Sequence, residues 1–283
     1  MRRSSFTILR TKAFADKSTA VVAVTYQFVL PELSLPAYHF GPLTVSPVTL
    51  FALAGILAYQ WIFLRRCARA RLDPGITREI LFWCVVIGLA GAHLWWLLAH
   101  WKSVALRDVF SLHGVVSFGD ILACCLTGIV IMKLRGSTAA QRWAWYDAGA
   151  YTFVFAEMIG RVGCALGHDH LGIFSTSWLA VQFPSGPRFD LGLLEFLFLA
   201  LFGIVVWLLG RRARPEGFFL ALVTFVYGLF RLLLDTVRSQ PAQILGVNED
   251  VIGGWLMVLI GAASAWHVLR SRARRSAQVG VPY

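Results

Sequence analysis

The chain has 283 residues, of which 58% are hydrophobic and only 14% are charged, and its mean hydropathy is +0.67. This composition excludes a soluble globular protein and indicates an integral membrane protein. The net charge of +11 does not indicate a nucleic-acid partner, because the basic residues occur in short runs between apolar blocks, as membrane topology requires. Five cysteines without a CxxC pair predict neither a disulfide framework nor a zinc cluster.

In chain order, an N-terminal arm is followed by a membrane domain. Residues 1–40 end in a proline-containing stretch, so we expect this arm to be extended or turn-rich and to lie on the membrane surface. Residues 41–283 contain seven apolar blocks, each close to the ~20 residues that cross ~30 Å of hydrocarbon. The predicted fold is an all-α, polytopic membrane protein with about seven transmembrane helices. The blocks span residues 43–64, 80–98, 115–132, 145–166, 191–209, 218–234 and 251–269.

Basic residues are distributed unevenly between the loops of this domain. Fifteen Lys and Arg residues follow the first, third, fifth and seventh blocks, whereas the loops on the other side contain four. Because loops rich in Lys and Arg stay in the cytoplasm, we expect the N-terminus outside and the C-terminus inside.

The first polar motif interrupts the fourth block at residues 160–172, GRVGCALGHDHLG. An ionisable group at bilayer depth normally faces a cavity, a partner or a substrate. Arg161 therefore belongs either to a binding site or to a Glu157–Arg161 pair that only bridges two helices. Helical spacings of four, three and four residues place four polar side chains on one face. These residues are Glu157, Arg161, Cys164 and His168.

The second polar motif is YGLFRLLLDTVR, at the end of the sixth block. Offsets of four, four and three residues again predict one helix face, formed by Tyr227, Arg231, Asp235 and Arg238. An Arg231–Asp235 ion pair that stabilises helix packing is the structural alternative. Arg161 and Arg231 fall at neighbouring depths in the outer half of the membrane, and guanidinium groups match phosphate oxygens. The two motifs together predict a site for a phospholipid headgroup.

The two motifs resemble those of the prolipoprotein diacylglyceryl transferase family. The first is similar to GRIGNFxNGExxG and the second to YGxxRFxxEFxR. The segments VVSFGDIL, which contains Ser117, and GPLTV resemble further family segments, and Glu195 corresponds to the glutamate of a QLYE motif. The matching positions of the two main motifs are Gly160, Arg161, Gly163, Asp169, Gly172, Tyr227, Gly228, Arg231, Asp235 and Arg238.

The resemblance implies a bacterial inner-membrane enzyme with two substrates. It would transfer the diacylglyceryl group of phosphatidylglycerol to the lipobox cysteine of a preprolipoprotein and release glycerol phosphate. The alternative is a non-catalytic membrane paralogue that binds anionic phospholipid. We expect no nucleic-acid partner and no cofactor.

The chemistry assigns a role to each candidate residue. Cationic groups must neutralise the departing phosphate, a role predicted for Arg161 and Arg231, while Arg238 guides the headgroup. A base for the thiol is expected to be a histidine, for which His113, His168 and His170 are candidates, with Asp120 and Asp169 behind them. The predicted catalytic residues are Arg161, Arg231, His113 and Asp169, and the predicted substrate-binding residues are Tyr227, Asp235, Arg238, Glu195, Ser117 and Gly172.

The chain departs from the family pattern at several positions. Aligned on Ser117, the family's histidine is replaced by Gly119 and its next glycine by Asp120, while Cys164 stands where the first motif has asparagine. The run His168-Asp169-His170 could converge on one ion, but it lacks a third, separated His or Cys. We therefore expect a solvated interfacial loop there and no metal.

Overall fold

The computed structural model describes residues 29–41, 43–101, 104–109, 117–239, 243–244 and 247–279. This part of the chain is mainly helical, as predicted, and each of the seven apolar blocks overlaps one of the longer helices. The helices are α1 (Pro47–Arg69), α2 (Pro74–Ala99), α3 (Leu106–Val109), α4 (Ser117–Leu134), α5 (Ala139–Gly167), α6 (Leu191–Leu209), α7 (Phe218–Asp235) and α8 (Glu249–Val279).

Within the described residues, five helices are long and apolar enough to cross a membrane. They are α1, α2, α6, α7 and the Asp250–Ala273 part of α8. Many large apolar side chains on these helices are exposed, among them Leu57, Phe82 and Leu201. An aqueous surface rarely carries so much contiguous apolar area, whereas a lipid-facing surface requires it. The protein is therefore a multi-pass membrane protein.

Several helices begin before the apolar blocks that predicted them, because polar residues cap their N-termini. Asp73 accepts a hydrogen bond from the Ile76 backbone N–H at 2.8 Å, and Pro74 occupies the first turn of α2. Thr138 and Gln141 form a reciprocal capping box at the start of α5. The apolar blocks that begin at residues 80 and 145 therefore start about one and two-thirds turns after the helices that contain them.

Glycines allow α2 and α4 to pack backbone against backbone. A Cβ atom built on Gly119 would lie 2.4 Å from the Gly91 carbonyl oxygen and 2.4 Å from the Trp95 Cβ. The backbone of α2 cannot move away from such a contact, so position 119 has no room for the histidine side chain that the family alignment would place there. The departure at Gly119 thus has a packing cause.

We expect Gly119→Ala to lower the free energy of unfolding by about 1–3 kcal/mol, because it overpacks this contact. Gly128→Ala on the same helix is the matched control, since its nearest atoms lie 3.9 Å and 4.0 Å from the added Cβ. That change should be neutral or stabilising by up to about 1 kcal/mol through helix propensity. Thermal unfolding of both variants in detergent measures the difference. Equal midpoints would contradict the close approach of the two helices.

Short strands lie outside the helices, and the all-α prediction did not include them. They are too short to show a period of two in the sequence, so their pattern resembles that of a loop. A four-stranded sheet has the order β1-β5-β6-β4, and two hairpins pair β2 with β3 and β7 with β8. The strands are β1 (Leu30–Pro31), β2 (Tyr38–Phe40), β3 (Leu43–Val45), β4 (Leu171–Phe174), β5 (Val181–Phe183), β6 (Gly186–Asp190), β7 (Gln243–Ile244) and β8 (Val247–Asn248).

The sheet joins the end of the N-terminal arm to the connection between α5 and α6. β1 pairs in parallel with β5, with Leu30 opposite Val181. This part of the arm is extended, as predicted, and its backbone is hydrogen-bonded to the sheet. The sheet therefore lies at the C-terminal end of α5, which carries the first polar motif, and at the N-terminal end of α6.

Candidate functional site

Two arginines from different helices meet at one buried carboxylate. Arg161 on α5 places its Nε 3.1 Å from Glu195 Oε2, and Arg231 on α7 places its Nη1 3.0 Å from the same oxygen. Glu195, near the start of α6, is only 1% exposed. The hydroxyl of Tyr227 donates a hydrogen bond to Glu195 Oε1. The predicted convergence of Arg161 and Arg231 is thus present, and Glu195 and Tyr227 belong to the same site.

The site continues along α7 to the start of α8. Asp250 accepts from Arg231 Nη2 and from Arg238 Nη2, the latter at 2.8 Å. Asp235 lies 3.3 Å from Arg238 Nε and accepts a hydrogen bond from Asn248 Nδ2 at 2.7 Å. The structural alternative for this motif, an Arg231–Asp235 pair, is therefore replaced by pairs that join α7 to α8 and to β8.

The Glu157–Arg161 pair is also present, with Arg161 Nη2 2.8 Å from Glu157 Oε1. This pair lies within α5 and does not bridge two helices, whereas the same guanidinium also contacts Glu195 on α6. Arg161 Nη1 faces Cys164 Sγ at 3.9 Å. A neutral or anionic sulfur at that distance leaves the Nη1 hydrogens able to bind a further acceptor.

The arginines of this site have more carboxylate partners than the sequence predicted. Glu157, Glu195, Asp235 and Asp250 surround Arg161, Arg231 and Arg238. Buried charges need such pairing, because an uncompensated ion in a low-dielectric interior costs several kcal/mol. A phosphate that enters this site must therefore share or displace a carboxylate. Glu157, with a side chain 26% exposed, is the most accessible of the two partners of Arg161.

Glu157, Asn248 and Asp250 were not predicted as site residues. The sequence did contain a signal for Asp250, because an acidic residue at the start of an apolar block has the same reason to be paired as Arg161. Its partners, however, depend on how α7 and α8 pack, which helical spacing within one motif does not reveal.

His168 is part of the sheet–helix junction and its side chain is only 12% exposed, contrary to the solvated loop expected for it. It ends α5 in the left-handed conformation, and its Nδ1 lies 2.5 Å from Asp190 Oδ2. Asp190 also caps α6 by accepting from the Leu193 N–H at 2.9 Å. Burial raises the pKa of Asp190, and the hydrogen bond with His168 opposes that rise. His168 Nε2 is buried without a hydrogen-bond partner in the described part of the chain.

Gly172 has a structural role in bringing two parts of the site together. It forms a backbone bridge with Arg238, and a Cβ atom built on it would lie 2.7 Å from the Val237 carbonyl oxygen. Only a residue without a side chain fits this approach. Gly172 therefore holds the chain that follows α5 against the chain that follows α7.

The other predicted residues lie outside the arginine site or outside the described residues. Asp169 is about one-third exposed and lies 3.6 Å from His170 Nε2. Asp120 on α4 accepts a weak hydrogen bond from the Cys124 thiol at 3.3 Å and faces Gly88 on α2. His113 lies outside the described residues, and Ser117 is the first residue of α4, with a side chain that is not described.

These features define a multi-pass membrane protein with a buried ionic site where α5, α6, α7 and α8 meet. The family model for prolipoprotein diacylglyceryl transferase matches residues 36–274. The chain therefore belongs to the prolipoprotein diacylglyceryl transferase family.

Bacterial relatives named phosphatidylglycerol–prolipoprotein diacylglyceryl transferase are similar along most of the chain. The relative from Leifsonia xyli subsp. xyli is 26% identical over 270 residues, covering 87% of this chain and 80% of the relative. The relative from Mannheimia succiniciproducens is 27% identical over 263 residues, covering 87% and 96%. The relative from Desulfotalea psychrophila is 24% identical over 272 residues, covering 88% and 98%.

Proposed function

We propose that the protein transfers the diacylglyceryl group of phosphatidylglycerol to the thiol of a preprolipoprotein lipobox cysteine, releasing glycerol phosphate. The observation that carries this proposal is the meeting of Arg161 and Arg231, from two family motifs, at the buried Glu195. The printed names of the relatives favour it over a non-catalytic lipid-binding paralogue.

The reaction breaks the bond between a glycerol carbon and a phosphate oxygen while a carbon–sulfur bond forms. Negative charge builds up on the departing phosphate, so preorganised cations in a water-poor site contribute most to catalysis. Arg161 supplies the Nη1 hydrogens that face Cys164, and Arg231 supplies the second guanidinium. Arg238, three residues beyond the end of α7, contacts the headgroup glycerol or its phosphate.

Entry of the phosphate rearranges the ion pairs. Glu195 and Tyr227 stay in place as buried anchors that orient both arginines. Glu157 is the carboxylate that turns away, because it is the more exposed partner of Arg161. The anionic headgroup then replaces the carboxylate, and the charge balance of the site is preserved.

In this proposal the bundle that surrounds the site has seven transmembrane spans, formed by α1, α2, α4, α5, α6, α7 and α8, of which five are long and apolar enough to cross a membrane by themselves. The N-terminus is outside and the C-terminus is in the cytoplasm, as the distribution of basic loops favours. The arginine site then faces the outer leaflet of the bacterial cytoplasmic membrane. A translocated signal peptide with its lipobox cysteine reaches it from that side.

The remaining roles concern the thiol and the lipid. His113 accepts the thiol proton, Asp169 assists at the same step, and Ser117, Asp235 and Gly172 shape the binding site. The oxygens of Glu195 and Asp250 are already paired with guanidinium groups, so these two carboxylates position the arginines.

Complementation tests the transferase against a lipid-binding protein. The chain should restore growth and lipoprotein modification in a bacterium depleted of its own transferase, because only catalysis replaces the missing thioether. Mass spectrometry of a lipobox peptide incubated with phosphatidylglycerol and the purified protein measures the product directly. Phosphatidylglycerol binding without rescue and without thioether would overturn the proposal.

A further inference from the structure

A second group of side chains lies beside Arg161 and forms a set of metal-binding donors. Cys164 Sγ, a carboxylate oxygen of Asp169 and a ring nitrogen of His170 all lie within 4.8 Å of one another. We propose that these three residues hold a Zn²⁺ ion whose fourth position receives the lipobox thiolate of the preprolipoprotein. This inference rests on the proposed function, and it adds a metal to a site for which the sequence predicted none.

Cys164 supplies the separated ligand that the His-Asp-His run lacks. It lies on α5 four residues before His168, so the last turn of the helix brings its sulfur back towards the loop. His168 is not part of the set, because Asp190 holds its Nδ1. The metal site thus combines one helix residue with two adjacent loop residues.

The donor set fits zinc in number and kind. Zinc binds thiolate sulfur at ~2.3 Å, imidazole nitrogen at ~2.0–2.1 Å and carboxylate oxygen at ~2.0–2.2 Å, and catalytic sites keep three protein ligands and one open position. Donors around one tetrahedral ion of this kind lie ~3.4–3.6 Å apart. Asp169 and His170 are 35% and 41% exposed at their side chains, so both side chains can rotate to bring their donors together.

A metal at this point would deprotonate the substrate thiol, which the arginine site does not do. A thiol that coordinates zinc is deprotonated, and the thiolate is the nucleophile. The thiol proton passes to His113, the base proposed above, and Asp169 assists that step as a ligand of the ion. The sulfur electron pair then forms the carbon–sulfur bond, and the glycerol carbon–oxygen bond breaks with its electrons moving to the phosphate.

Arg161 is placed to bind the phosphate leaving group beside the ion that binds the thiolate. Its Nη1 lies 3.9 Å from Cys164 Sγ, so a phosphate held by Arg161 lies next to the ion. Nucleophile and leaving group are then bound by neighbouring groups with the glycerol carbon between them. The charge of Arg161 does not repel the ion strongly, because Glu157 and Glu195 neutralise it before the phosphate binds, and Glu195 and the phosphate do so afterwards.

Cobalt replacement tests the site without relying on activity. Purified full-length protein in nanodiscs, treated with chelator and given Co²⁺, should bind one ion and show thiolate-to-cobalt absorption. Cys164→Asn should lose this absorption, and Asp169→Asn should weaken ion binding. The matched control is Cys125→Ser, which removes an exposed cysteine on α4 and should change nothing. Absorption that is missing in the wild type, or that survives in Cys164→Asn, would overturn the site.

A lipobox peptide tests the fourth ligand. Adding the peptide to the cobalt form should strengthen the thiolate absorption, and a peptide with serine in place of cysteine should not. Chelation should slow thioether formation about tenfold or more, because a free thiol of pKa ~8.5 is only ~3% ionised at pH 7. An unchanged spectrum, or full activity without metal, overturns the role of the ion and leaves the transferase proposal intact. Protein that binds the metal but forms no thioether supports the site and counts against the transferase.

Discussion

Replacing Arg231 with alanine should reduce diacylglyceryl transfer by about 10²-fold or more, the usual loss when one preorganised donor to a developing negative charge is removed. Arg231 contacts Glu195 through Nη1 and Asp250 through Nη2, so it fixes both carboxylates in addition to its proposed contact with the phosphate. Arg231→Lys should also be strongly impaired, because an ammonium group cannot make both contacts with the fork geometry of guanidinium. Rates of thioether formation at saturating phosphatidylglycerol measure both variants.

The control for this experiment is Arg211→Ala. Arg211 follows the opposite end of α6, where its guanidinium stacks over the Trp207 ring at 3.8 Å. Its removal also deletes one positive charge, so it separates a local effect from a change in net charge, and activity should be preserved. If Arg231→Ala and Arg211→Ala had the same rate, Arg231 would not act on the leaving group.

Replacing Glu195 with glutamine should destabilise the protein by about 3–5 kcal/mol, the cost of leaving buried charges uncompensated. Glu195 is the shared partner of Arg161 and Arg231 and is 1% exposed, so neither guanidinium can turn to water instead. Unfolding curves in mixed detergent micelles measure the change. The glutamine amide keeps the size of the side chain, so the loss of stability comes from the removed charge and not from a cavity.

The same substitution at Glu79 is the control. Glu79 pairs with Arg135 at 2.7 Å, but Arg135 is 56% exposed, and solvent screens such pairs to about 0–1 kcal/mol. Glu79→Gln should therefore have little effect on unfolding. Equal destabilisation by the two substitutions would mean that Glu195 does not hold the arginines in the folded protein.

Helical periodicity predicted the core of the site because Arg161 and Arg231 each lie on one helix with a polar partner. The spacing of Arg161 from Glu157, and of Arg231 from Tyr227, needs only the geometry of one helix. The same reasoning was wrong for Arg238, which lies three residues beyond the end of α7. The burial of Arg161 and Arg231 among apolar residues indicated that they serve a common purpose. The resemblance to a family then supplied Glu195 from a third helix, which no spacing argument reaches.

The rest of the site depends on contacts between distant segments. Asp250 and Asn248 join the site only because β8 and the start of α8 pack against α7. His168 pairs with Asp190 across 22 positions of the chain, a distance over which sequence patterns contain no information. The strands escaped prediction for a similar reason, since pairing partners such as Leu30 and Val181 are far apart in sequence.

The backbone bridge between Gly172 and Arg238 bears on how the protein behaves in bilayers of different thickness. Helices tilt when their hydrophobic length does not match the surrounding lipid. The Ile173 N–H donates to the Val237 carbonyl at 2.8 Å, so main-chain bonds fasten the segment after α5 to the segment after α7 at the rim of the bundle. In a thicker or thinner bilayer, α5 and α7 would then tilt by the same angle, and the distance between the Arg161 and Arg231 guanidinium groups would stay constant.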